Sequence, residues 1–438
     1  MAPQINDFRE LLREPLHRQL KGVRRSLHQH AEPGWCEVNS AARVAEALEA
    51  LGWEVRLGAD VVNAEARMGL PSQEILDLYF QYAVDKGISL EMAGKLRNGF
   101  TGVVGLLKGR RAGPVTAFRF DLDANYGPEA SDVGHYPVRE GFASVHPGVH
   151  HNCGHDGHTS MGLGLARKLS ESKDEVAGEV RLVFQPAEEG LRGARSMVAA
   201  GVLRDVDFFV GCHLGVQALQ LGEIISGYDN ILGSIKFDVD FYGRGAHAAI
   251  SPHIGRNAIM AACAAALNLM ALPRHGDGDT RVNIGMISGG ESRNTIPAHA
   301  RMSIELRADK VEVLEFLNES ADRILRGSAL ANDLTFTAQR VGESCSASSD
   351  RELSDVIALA AREVAGVTTI RGHTHFKGSD DAAEMMRVVQ RHGGKAVYFG
   401  IGTELGAVHH NPHFDFNERA LELGVETLSA VAQKLWGM

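Results

Sequence analysis

Apolar residues recur with helical spacing at the start of the chain. Six of them recur near helical spacing between residues 7 and 31, namely Phe8, Leu11, Leu12, Leu16, Leu20 and Leu27, and this pattern predicts one amphipathic helix that Pro33-Gly34 ends. A second helix is predicted over residues 41–51, with Gly52 after its C-terminus. Residues 60–100, called the insert below, show an irregular pattern in which 73–86 is the most helical part. The sequence pattern indicates no function for this insert.

The spacing then changes to short apolar strands that alternate with helices. Strands are predicted at 102–107, 114–120, 180–184 and 207–212, and helices at 159–169 and 193–200. This alternation indicates an α/β fold with a mostly parallel sheet, in which ligands gather at the carboxyl ends of the strands. Polar residues follow three of the predicted strands, namely Asp121, Glu188, Glu189 and His213. We therefore expect a single site at this edge of the sheet.

A different order of elements occupies the middle of the chain. Strands are predicted at 234–242, 281–288, 298–307 and 333–341, with helices at 255–272 and 310–330. This β-α-β-β-α-β order is typical of a self-contained domain. Residues 258–266 of its first helix are apolar on nearly every face, so the helix is buried in a core or against a second copy of the chain. The contact between copies is favoured, because one side of the helix already covers its own sheet.

The α/β order returns after the middle domain. A helix is predicted at 351–365, a strand at 396–399, and a last helix that Asn417 caps and that ends near residue 435. We therefore predict that 1–223 and 341–438 form one domain and that 224–340 is inserted into it.

Composition and charge exclude several classes of protein. The chain has 438 residues, 44% hydrophobic and 23% charged, which is ordinary for a soluble globular protein. A net charge of -10 argues against nucleic acid or an anionic membrane as a partner. The N-terminus lacks the apolar core of a secretory signal, and the five cysteines are odd in number and widely spaced. These features predict a reduced, cytoplasmic protein.

The candidate chemistry is concentrated between residues 150 and 213. Cys153, His155, the pair Glu188-Glu189 and His213 supply the thiolate, imidazole and carboxylate groups that divalent transition metals prefer. Adjacent glutamates can divide the work of a hydrolytic site, one binding metal and the other transferring a proton. The alternatives are a buried small cysteine with incidental histidines, and a solvated glutamate pair at a helix start. A redox role is disfavoured, because no second cysteine lies near Cys153.

Five motifs together resemble one enzyme family. They are Cys-Gly-His-Asp-Gly-His at 153–158, Phe-Gln-Pro-Ala-Glu-Glu-Gly at 184–190, Gly-Ala-His-Ala-Ala at 245–249, Asn-Thr-Ile-Pro at 294–297 and His-Asn-Pro at 410–412. The resemblance is to the metal-dependent amidohydrolases that include hippurate hydrolase and the auxin-conjugate hydrolases of plants. It implies a two-metal, aminopeptidase-like α/β/α catalytic domain with an inserted ferredoxin-like dimerisation (lid) domain. Stretches at 61–71, 99–102 and 192–195 further resemble the A-type polypeptide of p-aminobenzoyl-glutamate hydrolase.

The resemblance also implies roles at the site. Two divalent ions would be bridged by the Cys153 thiolate, and the terminal ligands would be His155, Glu189, His213 and His410. His410 is preferred to His409 because the ligand of the family directly precedes an Asn-Pro or Ser-Pro step. Glu188 would take a proton from the attacking water and return it to the leaving amine. Distant relatives carry a histidine two residues before Asp121, and Arg119 stands there in this chain. We therefore expect Asp121 to orient a ligand instead of binding metal.

Further roles are expected for residues of the inserted domain and for the turn at Gly378-Ser379. His247 resembles a histidine that stabilises the oxyanion in the active site of the partner copy, and Asn294 would help to hold the substrate carboxylate. The backbone amides of Gly378-Ser379 would approach the substrate. Arg293 is our hypothesis for binding the side-chain carboxylate of a dicarboxylic leaving amino acid, with Arg192 as a structural or secondary contact. The alternatives are an exposed loop histidine and ordinary surface arginines.

These features predict a homodimeric metallo-amidohydrolase that acts on N-acyl amino acids with aromatic acyl groups. p-Aminobenzoyl-glutamate is the first candidate substrate, and indole-3-acetyl-aspartate is the alternative. A hypothesis of a different class is a polypeptide that depends on a related partner chain in a heteromer. Thiolate and imidazole ligands suit zinc, whereas carboxylates leave manganese open.

Overall fold

The computed structural model describes residues 7–438 and divides them into two compact units. The first unit contains the described residues up to Asp229 together with Ser348–Phe376 and Asp381–Met438. The second unit contains Asn230–Ala347 and the short segment Lys377–Asp380. Gly378 and Ser379 therefore belong to the second unit, although the sequence pattern assigned them to the first.

The structure contains eighteen strands and thirteen helices among these residues. In chain order the strands are β1 Glu54–Leu57, β2 Val103–Lys108, β3 Arg111–Asp121, β4 Asn125–Tyr126, β5 Val149–His150, β6 Ala177–Gln185, β7 Phe208–Leu214, β8 Glu223–Ile225, β9 Tyr228–Asp229, β10 Gly233–Tyr242, β11 Ala246–His247, β12 Thr280–Gly289, β13 Thr295–Ile296, β14 His299–Ala308, β15 Thr335–Ser344, β16 Thr369–Arg371, β17 Thr374–His375 and β18 Lys395–Ile401. The helices are α1 Phe8–Leu11, α2 Leu16–Gln29, α3 Val38–Ala50, α4 Gln73–Asp85, α5 Leu90–Leu96, α6 Tyr136–Glu140, α7 His155–Glu171, α8 Ala194–Ala199, α9 Ala258–Met270, α10 Val311–Ala331, α11 Arg351–Glu363, α12 Ala382–Arg391 and α13 Arg419–Leu435.

An eight-stranded sheet forms the centre of the first unit. Its order is β1-β2-β6-β3-β7-β18-β8-β16. The pairs β6/β3, β3/β7 and β7/β18 at the centre are parallel, whereas β1/β2, β2/β6 and β18/β8 are antiparallel. The sheet is therefore mixed with a parallel centre, as the alternation of strands and helices indicated.

Helix α7 packs unusually close to this sheet. A methyl group at Gly162 would lie 2.7 Å from ring atoms of both Phe120 and Phe184, so only glycine allows this distance. Both phenylalanines are almost fully buried, and burial of such a side chain contributes about 1.5–3 kcal/mol. The close packing fixes the N-terminus of α7 above the ends of β3 and β6.

Several predicted element boundaries are wrong. Glu418, and not Asn417, is the N-cap residue of α13. Three further differences have a clear local reason. The single helix predicted over 7–31 is two helices, because Pro15 caps the start of α2 and separates it from α1. Helix α7 begins at His155 and not at residue 159, since Gly154 with φ 90° forms its N-cap. Strand β7 continues to Leu214, so His213 lies within the strand and not after it. The predicted helix over 73–86 is confirmed as α4.

The second unit is a four-stranded antiparallel sheet with two helices. The order is β12-β14-β10-β15, and the apolar core lies between this sheet and helices α9 and α10. Strand β12 is at an edge of the sheet.

Among the described helices, none is long and apolar enough to cross a membrane. None of the five cysteines, all of which lie within the described residues, is paired in a disulfide.

Candidate metal centre

Five side chains that the sequence predicted as metal ligands lie close together in the first unit. The ligand atoms of Cys153, His155 and His213 are all within 4.8 Å of one another, and so are those of Cys153, Glu189 and His410. The Cys153 Sγ is 3.5 Å from His213 Nε2, and His410 Nε2 is 3.4 Å from Glu189 Oε1. Cys153 belongs to both groups, so its sulfur is the donor that they share.

The turn that carries Cys153 depends on glycine. Gly154 has φ 90°, a left-handed conformation in which glycine avoids the clash of a Cβ atom. The helix starts at the next residue, so His155 lies in its first turn beside the sulfur. His410 also has a positive φ of 65°, and its backbone N–H donates to Asn152 O at 2.8 Å. Such backbone strain is concentrated at functional sites, where the surrounding structure maintains it.

Both inner histidines present the same ring nitrogen to the cluster. His155 Nδ1 donates to Asp123 O at 2.8 Å, and His213 Nδ1 donates to Leu214 O at 2.9 Å. Each ring therefore has a proton on Nδ1 and turns Nε2 toward Cys153 and its neighbours. His155 Nε2 is buried and has no hydrogen-bond partner within residues 7–438. A buried ring nitrogen of this kind, beside a thiol and carboxylates, fits a bound cation in place of a proton.

The pKa shifts of the cluster indicate which protons a bound cation would displace. Burial, together with the nearby Glu189 carboxylate, raises the pKa of the Cys153 thiol well above its usual value. Burial alone would lower the pKa of His155, but the neighbouring Asp121 outweighs burial and raises it well above its usual range, so a cation would displace a proton from this ring as well. Burial and the neighbouring His158 lower the pKa of His213. The thiol therefore keeps its proton unless a cation replaces it, as expected where metal binding releases protons.

The two adjacent histidines late in the chain face different groups. His409 Nε2 is 3.1 Å from Leu214 O, and burial lowers the pKa of this ring to about 4. His410 is exposed and faces Glu189. The geometry therefore agrees with the choice of His410 as the candidate ligand.

Asp123 is a residue to which the sequence pattern gave no role. It is fully buried, and its two carboxylate oxygens accept the backbone N–H groups of Glu188 at 3.0 Å and Glu189 at 2.9 Å. Its backbone carbonyl accepts a hydrogen bond from His155 Nδ1. One residue thus fixes both adjacent glutamates and one histidine. The only sequence signal is the alternation in Asp121-Leu122-Asp123, which directs both aspartates to the same side.

Asp121 is bonded to a histidine that is not among the predicted ligands. Its carboxylate accepts from His158 Nδ1 at 2.7 Å and from Arg119 Nη1 at 2.6 Å, and it lies 3.8 Å from His155 Nε2. Although burial favours the neutral acid, the neighbouring His155, His158 and Arg119 lower the pKa of Asp121 well below its usual range. Asp121 is therefore an anion inside the protein, and it orients His158.

Asp381 holds the C-terminal end of the loop that carries Glu188 and Glu189. Its Oδ2 accepts the backbone N–H groups of Gly193 at 3.1 Å and Ala194 at 2.9 Å, and its Oδ1 accepts from Gln185 Nε2 at 2.7 Å. The loop between β6 and α8 is thus bonded at both ends to buried carboxylates.

The remaining predicted site residues lie in the second unit. His247 is exposed, and its Nδ1 accepts the backbone N–H groups of Ala249 and Ile250 at 3.2 and 3.1 Å, so its proton is on Nε2. Asn294 lies beside it, since the Asn294 carbonyl accepts from Ala248 N at 3.0 Å. Arg293 is exposed.

The turn at Gly378-Ser379 in the second unit is held by a backbone hydrogen bond. The Gly378 carbonyl accepts from Leu232 N at 2.8 Å. Ser379 Oγ is buried and has no hydrogen-bond partner within the described chain.

Comparisons with known sequences identify relatives over nearly the whole chain. Residues 117–434 match Peptidase family M20/M25/M40. The chain is 42% identical over 415 residues to the A-type polypeptide of p-aminobenzoyl-glutamate hydrolase from Escherichia coli strain K12, covering 94% of this chain and 95% of that protein. It is 41% identical over 432 residues to the indole-3-acetyl-aspartic acid hydrolase of Enterobacter agglomerans, covering 98% of each.

Solved structures share the fold. The aminobenzoyl-glutamate utilization protein of Klebsiella pneumoniae superposes with a TM-score of 0.82 at 36% identity and covers 97% of both chains. A Bacillus subtilis protein described as a dinuclear metal binding peptidase of family M20 superposes with a TM-score of 0.67 at 24% identity, covering 96% of this chain and 99% of that one.

Proposed function

The chain belongs to peptidase family M20/M25/M40, whose hydrolases act on amide bonds, and we propose that it releases a dicarboxylic amino acid from an N-acyl derivative with an aromatic acyl group. p-Aminobenzoyl-glutamate is the first substrate, supported by the 42% identity to the Escherichia coli hydrolase polypeptide. Indole-3-acetyl-aspartate is the second, supported by the 41% identity to the Enterobacter agglomerans hydrolase. Both names combine an aromatic acyl group with an acidic amino acid.

The observation that supports the reaction most strongly is the donor cluster around Cys153. We propose that Cys153, His155, Glu189, His213 and His410 hold two divalent ions, manganese or zinc, with the sulfur shared between them. When bound, such ions polarise a carbonyl group and lower the pKa of water. A free thiol as the shared ligand also supports our prediction of a reducing, cytoplasmic environment.

Glu188 is our candidate for proton transfer. It is 7% exposed, its Oε2 is 3.8 Å from His155 Nε2, and Asp123 holds its backbone N–H. We propose that Glu188 takes a proton from the attacking water and then donates it to the nitrogen of the leaving amino acid. A positioned carboxylate of this kind contributes about 10²- to 10⁴-fold to the rate.

Residues of the second unit are proposed to bind the substrate. His247 carries its proton on Nε2, which suits donation to a developing oxyanion. Asn294 is proposed for the α-carboxylate, Arg293 for the side-chain carboxylate, and the turn at Gly378 and Ser379 for backbone contacts. In this arrangement the protein recognises the leaving amino acid by its two negative charges.

A homodimer is supported by exposed apolar residues of the second unit. The outer face of α9 exposes Leu267 to 74%, and the edge strand β12 exposes Met286 to 68%. Contiguous apolar surface and an uncovered sheet edge are typical of interfaces between protein chains. We propose that this face joins two copies of the chain. A heteromer is the alternative, because the names of two relatives describe one polypeptide of a larger hydrolase.

The test is amino-acid release by the purified protein, loaded with manganese or zinc. p-Aminobenzoyl-glutamate, indole-3-acetyl-aspartate and hippurate are compared side by side, with Glu188→Gln as the inactive control. We expect activity on the first two substrates and little on hippurate. A preference for hippurate would contradict the proposed acidic leaving group. No activity on any substrate, with metal bound, would favour dependence on a partner chain.

A further inference from the structure

The insert has no role in the chemistry proposed above, yet one hydrogen-bonded path joins it to the loop that carries Glu188 and Glu189, and a second path joins that loop to Thr101, the residue that directly follows the insert. The first path passes through Arg192. Its Nε donates to the Glu189 carbonyl at 2.9 Å, and its Nη1 donates to the Gly69 carbonyl in the insert at 2.8 Å. One guanidinium therefore binds a candidate metal ligand and the insert at the same time.

The packing around Arg192 is specific for glycine at position 34. A methyl group on Gly34 would overlap Arg192 Nη2, and it would also lie 3.1 Å from Ala187 Cβ. The neighbouring Trp35 is fully buried, and its Nε1 donates to the Met68 carbonyl at 2.8 Å. The segment 68–69 of the insert is thus bonded on one side to Trp35 and on the other to Arg192.

The second path passes through Glu37, which is completely buried. Glu37 Oε1 accepts the backbone N–H of Ala187 at 2.7 Å, and Glu37 Oε2 accepts the hydroxyl proton of Thr101 at 2.6 Å. Thr101 directly follows the insert. Ala187 has φ 50°, an unfavourable conformation for alanine that persists only where contacts maintain it.

We infer that the insert is a positioning element, which fixes the Glu188-Glu189 loop through Arg192 and Glu37. This inference rests on the proposed function, since it assigns Glu189 to metal and Glu188 to proton transfer. Arg192 and Glu37 are positioning residues. They bond to the backbone of the loop.

The first test measures metal affinity by competition with a chromogenic chelator, together with kcat and KM for p-aminobenzoyl-glutamate. Arg192→Ala is expected to weaken metal binding about 10- to 100-fold, as loss of the groups that orient a ligand does, and to lower kcat with little change in KM. Arg192→Lys keeps the charge but cannot reach both carbonyls with one nitrogen, so we expect an intermediate loss. Arg110→Ala removes an exposed arginine and serves as the matched control.

The second test uses the overlap between Gly34 and Arg192. Gly34→Ala alone should displace the guanidinium and weaken metal binding. In the Arg192→Ala background the same change should reduce metal affinity much less, because the Arg192 guanidinium with which the new methyl group overlaps is absent. Strong non-additivity is expected for residues in contact. Independent, multiplicative effects of the two changes would overturn the assignment.

A third pair of variants tests the Glu37 path. Thr101→Val removes the hydroxyl without changing the size of the side chain and should lower kcat, whereas Thr101→Ser should retain activity near that of the wild type. Equal kcat for valine and serine would overturn this part of the inference. Wild-type protein that binds no ion would contradict the proposed function itself. Wild-type protein that binds ions with unchanged affinity after Arg192→Ala would contradict only the role of the insert.

Discussion

The carboxylate of Asp121 accepts the Nδ1 proton of His158 at 2.7 Å. The other ring nitrogen of His158 accepts the backbone N–H of Leu214 at 3.0 Å, so both nitrogens are engaged and the proton is on Nδ1. Because Leu214 follows His213, the pair Asp121–His158 fixes the strand segment that carries a candidate metal ligand. His158 itself has no nitrogen left for an ion.

Replacement of Asp121 by asparagine tests this link. Asparagine keeps the size of the side chain but removes the charge, so the buried Arg119 and His158 lose their anion. We expect metal affinity to fall about 10- to 100-fold, the usual loss when a group behind a metal ligand is changed. Chelator competition measures it, with Asp174→Asn as an exposed control. Unchanged affinity would show that His213 keeps its position without Asp121.

The proposed role of Arg293 predicts a selective effect on KM. Arg293→Ala should raise KM for an acyl-glutamate by about 10- to 100-fold, the value of a charged hydrogen-bonded pair, because the side-chain carboxylate loses its cation. The KM for the matching acyl-alanine should change little, since alanine has no such group. Steady-state kinetics on both substrates measure the difference, and Arg293→Lys tests whether charge alone is sufficient. An equal rise for both substrates would contradict this role.

The proposed contribution of His247 by the partner copy of a homodimer predicts complementation between two inactive variants. His247→Ala and Glu188→Gln homodimers should each have very low activity. After unfolding and refolding together, half of the dimers combine the two variants and contain one intact site, which restores about one quarter of wild-type activity. A mixture that remains inactive, although heterodimers are detected by mass spectrometry, would place His247 in the site of its own chain or outside catalysis.

His28 predicts a loss of stability at alkaline pH. Its Nδ1 is 2.9 Å from Asp156 Oδ2 and its Nε2 is 2.9 Å from Glu129 Oε1, and these partners outweigh burial and raise the pKa of His28 to about 9. The folded-state pKa lies above the ordinary value of 6.5, so the stabilisation is complete below pH 6.5 and disappears as the pH rises through about 9. The expected loss is on the order of 3 kcal/mol.

Denaturant unfolding of His28→Gln at several pH values checks this prediction. The free energy of unfolding of the wild type should fall more steeply between pH 7 and pH 10 than that of the variant. His17→Gln changes an exposed histidine on the same helix and should leave the wild-type profile unaltered. Parallel profiles for wild type and His28→Gln would show that the ring is not charged in the folded protein.

Periodicity predicted the elements where local sequence determines them. The helix α4 and the strands on either side of the first site residues follow from apolar spacing alone. The start of α7 did not, because a run of glycine and histidine is typical of a loop, while Gly154 in fact adopts a left-handed conformation that begins the helix. The break at Pro15 depends on one residue within a pattern that is otherwise helical.

The candidate donor cluster was expected from the spacing of Cys153 and His155, from polar residues near strand ends and from the family resemblance, whereas the groups that support it were not expected. Asp123, His158 and Asp381 bond to residues far along the chain, such as Leu214 and Gln185. These contacts depend on the order of strands in the sheet and on the close packing of α7, and no spacing in the sequence encodes either. Arg192 shows the same limit, since its carbonyl partner Gly69 lies 123 positions away.

The late position of β18 has a consequence for biosynthesis. This strand lies between β7 and β8, and the last candidate ligand, His410, follows it, whereas the other four donors precede Leu214. A ribosome that adds about 5–20 residues per second needs roughly ten seconds or more to pass from His213 to His410. During that time the nascent chain exposes a cysteine and two histidines that lack the sheet and the final donor. The complete set of candidate donors therefore exists only in the finished polypeptide.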